Sequence, residues 1–429
     1  MAGPDPLHAE PAASGAAAPR IALAFAALAI LLLVFTLRWR VPMMLWDHLD
    51  LVPIYQRFVG GTLDAGDFFR IHGGHLHAGA YAVLLLTTAL SHGGTWLDGV
   101  ASWLFLLAYA GVIVSLLRGL VRERVVMLLI VFLALYPGHL ANLQWGWQVA
   151  VFLCLAGMAA TIALLATRAL RPWHVIAAIA CAGVAVASFA VGFAVFPAAI
   201  VVLALRRDLA WRTRCGWIGV WVVLALAAML ALRRGGQPTP AWIQVASYAC
   251  NFLGAGLARY ATDLAPWLGL AGIASGCMAA WTFRARAVAP AWIGLLAVGA
   301  ASALLTAYGR VDAYGADQAF VTRYVSFSSV FWIGWLGLMA QFPRNTRPRA
   351  IGAGIVVSLF AVLAVFNALH LMKKAATVAA RAQVTAQTIR QTYPDVPEPL
   401  LAEIYFDQPA VARERLERLH AWGFAPFDR

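Results

Sequence analysis

Apolar residues run along this chain in long unbroken blocks, separated by short polar connections. A membrane span needs roughly 20 apolar residues to cross about 30 Å of hydrocarbon, so these blocks predict membrane helices. They fall at 20–38, 97–117, 124–138, 145–167, 173–189, 191–206, 214–232, 264–283, 288–307, 324–342 and 350–370, which makes eleven spans. The run at 173–205 would be about 50 Å long as one helix at 1.5 Å per residue, too long for a single span. It is flanked by arginines and is read as a hairpin turning at 188–192. The apolar stretch 76–91 is read instead as a helix lying in, or dipping into, the outer membrane face, because an extra span there would invert every later basic loop.

Composition agrees with the blocks. Of 429 residues, 62% are hydrophobic and only 12% charged, which excludes a soluble domain of this length. The net charge of +13 is not the footprint of a nucleic-acid binder, because the arginines sit in alternate short connections: Arg118, Arg122 and Arg124; Arg168 and Arg171; Arg206, Arg207, Arg212 and Arg214; Arg284 and Arg286; Arg344, Arg347 and Arg349. The positive-inside rule makes these loops cytoplasmic and the remaining ones outer. The expectation is an all-α, polytopic transmembrane helical bundle. Its parts are a disordered cytoplasmic tail at 1–19, a bundle at 20–370 with a large first outer loop at 39–96, and a short helical outer tail at 371–429. The start lacks a secretory cleavage pattern, so the first block is taken as a retained helix. The five cysteines have no paired spacing and predict neither disulfides nor a cysteine metal site.

Chemistry-bearing residues gather in the outer segments. Asp47 and Asp50, in WDHLD, are three apart and share one face if the segment is helical; such acids act as a general base or hold a divalent cation, with Mg2+ or Mn2+ the candidates. HGGHLH brings His72, His75 and His77, suited to phosphate or acceptor contact. NLQWGWQ sets Asn142, Gln144 and Gln148 beside Trp145 and Trp147, amides next to indoles, as sugar sites commonly have. GRVDAYGADQAFVTRY offers Arg323 and then Arg310 for a phosphate, with Tyr324 adjacent. WIQVASYACNFLGAGLARY, with Tyr248, Asn251 and Arg259, reads as an amphipathic segment at the outer surface. The closing ERLERLHAWGFAPF is either a small packed cap or part of the acceptor side.

These features together resemble the GT-C superfamily of polyprenyl-phosphate-sugar-dependent glycosyltransferases: an acid after the first span, a large first outer loop with a surface helix, and a bundle with outer active-site loops. HGGHLH, NLQWGWQ, TRYVSFSSVFWIG and GFAPF resemble, more narrowly, a bacterial set of GT-C-like membrane proteins. The resemblance implies inverting transfer of one sugar, hexosyl or pentosyl, from a polyprenyl-phosphate carrier to a cell-envelope glycan, lipid or protein at the periplasmic face. It also implies a first-loop acid as general base, which maps to Asp47. Here His48 follows Asp47 and the next acid is Asp50, so the residues leave open which of the two is the base. A transporter or flippase of a lipid-linked sugar is the alternative; it would want ionisable groups deep in the spans, where Thr161, Ser188 and Ser275 are small and uncharged.

Overall fold

The structure, a computed structural model, describes residues 17–73, 75–117, 124–231, 240–343 and 345–427. Arg118, Arg122, Arg344 and most of the predicted N-terminal tail lie outside the described residues. Helices dominate, and the blocks read from the sequence all fall on them. They are α1 (Ala17–Arg38), α5 (Trp96–Leu116), α6 (Arg124–Ala134), α8 (Val149–Leu165), α9 (Pro172–Ser188), α10 (Val195–Leu205), α11 (Trp211–Ala231), α13 (Ala265–Phe283), α14 (Ala289–Tyr314), α15 (Val325–Met339) and α16 (Arg347–Thr392). Among the described residues, seven helices are long and apolar enough to cross a membrane, with shorter apolar helices beside them. The chain is a multi-pass membrane protein.

Between α1 and α5 the first loop builds a unit of its own. A 3-10 turn at Trp46–Asp50 leads into α2 (Leu51–Val59), then α3 (Ala65–Phe68), a two-stranded hairpin of β1 (Ile71–His72) and β2 (His75–Leu76), and α4 (Ala78–Leu90). At 13 residues, α4 is about 20 Å long, too short to span, and it buries Tyr81, Leu84 and Leu85 while exposing Leu86 and Leu90. The 173–205 run breaks where predicted: α9 ends at Ser188, Phe189 is extended, and a 3-10 turn precedes α10.

Three expectations change. The segment at 242–259 is not a surface helix. As α12 (Trp242–Ala258) it packs against α13, α14 and α15, burying Tyr248, Phe252, Leu253 and Leu257 in the main core, and its exposed positions, Trp242, Ile243, Gln244, Ala246 and Ser247, are confined to its start. The boundary drawn at 370 falls inside α16, which runs unbroken for 46 residues and carries the bundle directly into the tail helices α17 (Glu398–Ile404) and α18 (Pro409–Trp422). Arg206 is also more than a charge signal. It is buried, its Nη1 donates to the carbonyls of Leu165 and Thr167 at 2.7 and 2.6 Å, and Asp208 pairs with it at 2.6 Å, so it closes the C-terminal end of α8.

Without a hydrophobic difference between protein and lipid, close backbone approach holds such bundles together. The antiparallel pair α14 and α15 shows it. A Cβ on Gly334 would fall onto the backbone nitrogen of Leu296 and lie 2.7 Å from the carbonyl oxygen of Trp292. Backbone cannot step aside as a side chain can. Gly334→Val should therefore destabilise the bundle by about 1–3 kcal/mol, read as an earlier thermal unfolding of purified protein. Gly111→Ala, with nothing within 4 Å of the new carbon, is the control expected to leave the midpoint unchanged.

Candidate active site

The acids come together through local backbone geometry. In a 3-10 turn, residues i and i+3 eclipse, so Trp46–Asp50 sets Asp47 and Asp50 on the same side. Trp46 enters that turn at φ 54, a left-handed value costly for an indole-bearing residue, and the strain sits one residue before Asp47. Trp145 holds the turn: its ring meets Trp46 edge-on at 5.3 Å and its Nε1 donates to the Leu45 carbonyl at 3.3 Å.

Opposite the turn, the hairpin presents His72. His72 and His75 pair across β1 and β2, and Gly73, at φ 52, allows the tight reversal. Asp64 and Asp67 anchor the approach by capping α3 and by pairing with Arg57, both at 2.9 Å, which leaves Asp47 and Asp50 as the first-loop acids that reach the cavity. His72 lies between them, Nε2 at 3.0 Å from Asp47 Oδ1 and Nδ1 at 3.3 Å from Asp50 Oδ2. Burial works to lower the pKa of His72, but the hydrogen bond with Asp47 and the charges of Asp50 and Asp47 outweigh it, so the value is raised. A carboxylate stands at each ring nitrogen, an arrangement that favours the protonated ring.

The far end of the chain completes the cluster. Tyr405, just past α17, donates its hydroxyl to Asp50 Oδ1 at 2.5 Å, across 355 residues, and its own pKa is pushed up to about 12 by burial and by Asp50. The tail is fastened to the first loop through an apolar core that joins Leu401, Ile404, Leu416 and Leu419 to Leu49, Leu51, Ile54 and Leu84. Tyr55 stands 5.2 Å from Trp422 and 5.3 Å from Phe424.

These groups open onto a cavity of about 1010 Å3. Asp47, Asp50, His72, His77, Trp147, Gln148, Arg310, Arg323, Tyr324 and Tyr405 line it, with the α9–α10 break and the end of α14. Outer segments expected on one side thus meet at one end of the bundle. Trp147 is the central ring, 5.0 Å from His72 and 5.2 Å from His77. His77 is buried and its pKa falls to about 4 through burial and the neighbouring His72, so it is neutral near pH 7. Arg310 and Arg323 each lie over a tyrosine ring, Tyr314 and Tyr324, at 5.6 and 5.8 Å.

Not every expected site residue arrives there. The side chain of His75 lies outside what is described. Asn142, Gln144 and Trp145, expected to bind sugar or acceptor, do not line the cavity; they are buried behind it. Asn142 Nδ2 donates to the Arg323 carbonyl at 2.9 Å and to Ser326 Oγ at 2.8 Å, and the Gln144 carbonyl accepts from the Val41 amide at 2.8 Å. They stand behind the site and tie it to neighbouring segments through the Asn142 amide nitrogen, the Gln144 backbone carbonyl and the Trp145 indole, while the side-chain oxygens of Asn142 and Gln144 are buried with no hydrogen-bond partner among the described residues. Sequence reasoning missed Tyr405, which no local motif marks, and the pair His48 and Asp98 beneath Trp147. His48 stands 3.7 Å from Asp98, but burial pushes its pKa down to about 3, so the contact is not an ion pair. Asp98 is held by the Thr87 hydroxyl.

The ligand atoms of Asp47, Asp50 and His72 all lie within 4.8 Å of one another. Two carboxylates are hard oxygen donors that suit Mg2+ or Mn2+. His72 would have to turn one nitrogen away from its acid to join them.

Fold and site define a multi-pass helical membrane protein whose first loop and tail close an acid, imidazole and arginine cavity at one end of the bundle. No protein-family model matches the chain, and no curated protein matches it. Among solved structures it is similar to ArnT from Cupriavidus metallidurans in the apo state, with a TM-score of 0.47 and 17% identity over 95% of this chain and 76% of that one. The same protein bound to undecaprenyl phosphate gives a TM-score of 0.45 at 17% identity, with the same coverage.

The bridging imidazole has a pH signature. A raised folded pKa stabilises fully below the unfolded value of 6.5 and the contribution is lost as pH rises through the folded value. His72→Gln should therefore lower the melting temperature more at about pH 6 than at about pH 9, in paired melts of the two proteins. An equal loss at both would remove the bridge.

Proposed function

We propose that the protein is a membrane glycosyltransferase of GT-C type that moves one sugar from a polyprenyl-phosphate carrier to a hydroxyl of a cell-envelope acceptor at the periplasmic face, with inversion. One observation carries the reading: a single cavity holds a paired acid cluster together with two arginines and is lined by aromatic rings. Acids at one wall suit activation of an acceptor hydroxyl, and guanidiniums suit a phosphate. The motif resemblance points the same way.

In this reading Asp47 is the base. Asp50 has both oxygens engaged, Oδ1 by Tyr405 and Oδ2 by His72, whereas Asp47 meets His72 through Oδ1 alone. Asp47 takes the proton of the acceptor hydroxyl as its oxygen attacks the anomeric carbon from the face opposite the carrier. The bond from that carbon to the phosphate oxygen breaks, and Arg323 and Arg310 stabilise the charge that grows on the leaving phosphate. Trp147, Gln148, His77 and Tyr324 then form the wall for sugar and acceptor. Asp47 and Asp50 are the residues that would hold a divalent cation, Mg2+ or Mn2+, and such an ion when bound would supply Lewis-acid activation of a hydroxyl at the acid wall.

The test is transfer by purified protein from radiolabelled undecaprenyl- or decaprenyl-phosphate sugars to a panel of envelope acceptors. Asp47→Asn should lower the rate by about 10²–10⁴-fold, the usual worth of a positioned base. Tyr405→Phe should cost about tenfold or less, since it loosens Asp50 without removing a reacting group. Failure of wild type to consume any donor, or normal transfer by Asp47→Asn, would sink the reading.

A further inference from the structure

At the end of the bundle opposite the acid cluster, α13, α15 and α16 part to leave a second cavity of about 690 Å3. Its walls are Phe283, Met339, Phe342, Val356 and Val357 with the small residues Gly352 and Ala353, and its mouth holds Arg286 and Arg349. Phe283 and Phe342 form an edge-on pair at 4.6 Å that floors it. An apolar gap of this size between helices in a bilayer is filled by hydrocarbon, because the flanking helix already faces lipid: Ile351, Ile355 and Val356 are exposed.

The mouth is built for an anion. Arg286 Nη1 donates to the Gln341 carbonyl at 2.5 Å, and Arg349 Nη1 donates to Asn345 Oδ1 at 3.3 Å. Gln341 and Asn345, both beyond α15, thus each hold one arm of a guanidinium that lines the cavity. The flanking segments 282–290 and 339–357 carry five arginines (Arg284, Arg286, Arg344, Arg347 and Arg349) and no acid. Arginines gathered at a membrane surface without an acid to neutralise them call for an anionic partner.

We propose that this cavity binds one anionic glycerophospholipid, its phosphate held by Arg286 and Arg349 and an acyl chain lying along Phe283, Phe342 and the Gly352 face of α16. The lipid ties α13, α15 and the start of α16 together at the end remote from the chemistry. The site is independent of the proposed transfer reaction.

Detergent-purified, delipidated full-length protein is melted with added phosphatidylglycerol, phosphatidylcholine or inorganic phosphate, and bound lipid is counted by native mass spectrometry. Phosphatidylglycerol should raise the melting temperature by about 3 °C and leave one retained adduct. Phosphatidylcholine should give less than half that shift, and inorganic phosphate none. Arg286→Gln with Arg349→Gln should abolish the preference for phosphatidylglycerol. Because that pair also loosens the turn, Gly352→Phe is the second variant: nothing lies within 4 Å of a carbon added there, so the ring can enter the groove without displacing the fold. It should melt like wild type without lipid and lose the adduct. Equal shifts with both lipids, a full shift with inorganic phosphate alone, or an adduct retained in Gly352→Phe would each overturn the proposal.

Discussion

The site depends on one buried segment, from His139 to Gln148, that cannot satisfy its own polar groups and so binds its neighbours together. It runs through a 3-10 turn, the short α7 (Leu140–Leu143) and another 3-10 turn. Buried backbone of this irregular kind has to find its partners in the protein around it. His139 reaches Ser326 at 2.9 Å, Asn142 reaches Ser326 and the backbone of Arg323, Gln144 accepts from Val41, and Trp145 holds Leu45. The arginine side and the acid side of the cavity are therefore fixed by the same ten residues. A lost buried hydrogen bond here costs the full desolvation of its partner, so the brace is stiff.

That stiffness lets the acid cluster stand. Two carboxylates three residues apart repel, and partial burial strengthens the repulsion. His72 stands between them where its protonated form is favoured, and Tyr405 donates a hydrogen bond to Asp50. Around this centre His77 and His48 are kept neutral by burial, at about 4 and about 3, which leaves His72 and the arginines of the far wall as the places where positive charge is favoured. Charge is thereby divided into an acid–histidine wall and a guanidinium wall facing one space.

The bundle was legible because apolar length is a one-dimensional signal: each block of about twenty residues became a helix without help from its neighbours. Asp47, Asp50, His72, His77, Gln148, Arg310, Arg323 and Tyr324 were legible as chemistry, and all of them reach the cavity. What was not legible depends on partners distant in sequence. Asn142 and Trp145 look like a sugar platform until their partners, 181 and 100 residues away, are placed. Tyr405 carries no motif; only the packing of Leu401 and Ile404 on the first loop brings it to Asp50. The α12 segment misled for a related reason: Gln, Ser, Tyr and Asn spaced along it imitate an amphipathic face, yet Tyr248 donates to Gln318 at 3.1 Å and Asn251 to the Ala316 carbonyl at 3.3 Å. Polar residues satisfied inside a bundle and polar residues facing water have the same letters.

Long-range closure also orders events. The contacts that complete the cavity join residues separated by 181 and 355 positions, whereas the first loop closes over 25. Loop-closure entropy favours the contacts within the first loop, but the turn that carries the acids is held by Trp145, so it is complete only once the 139–148 segment has docked. The arginine wall has to wait for α15, and Tyr405 for the whole of α16. A cavity that becomes complete only with its last element lacks Tyr405 and Phe406 from its wall until the tail docks. The tail therefore acts on the site from outside the bundle, through Asp50, and the second acid of the pair is the one it touches.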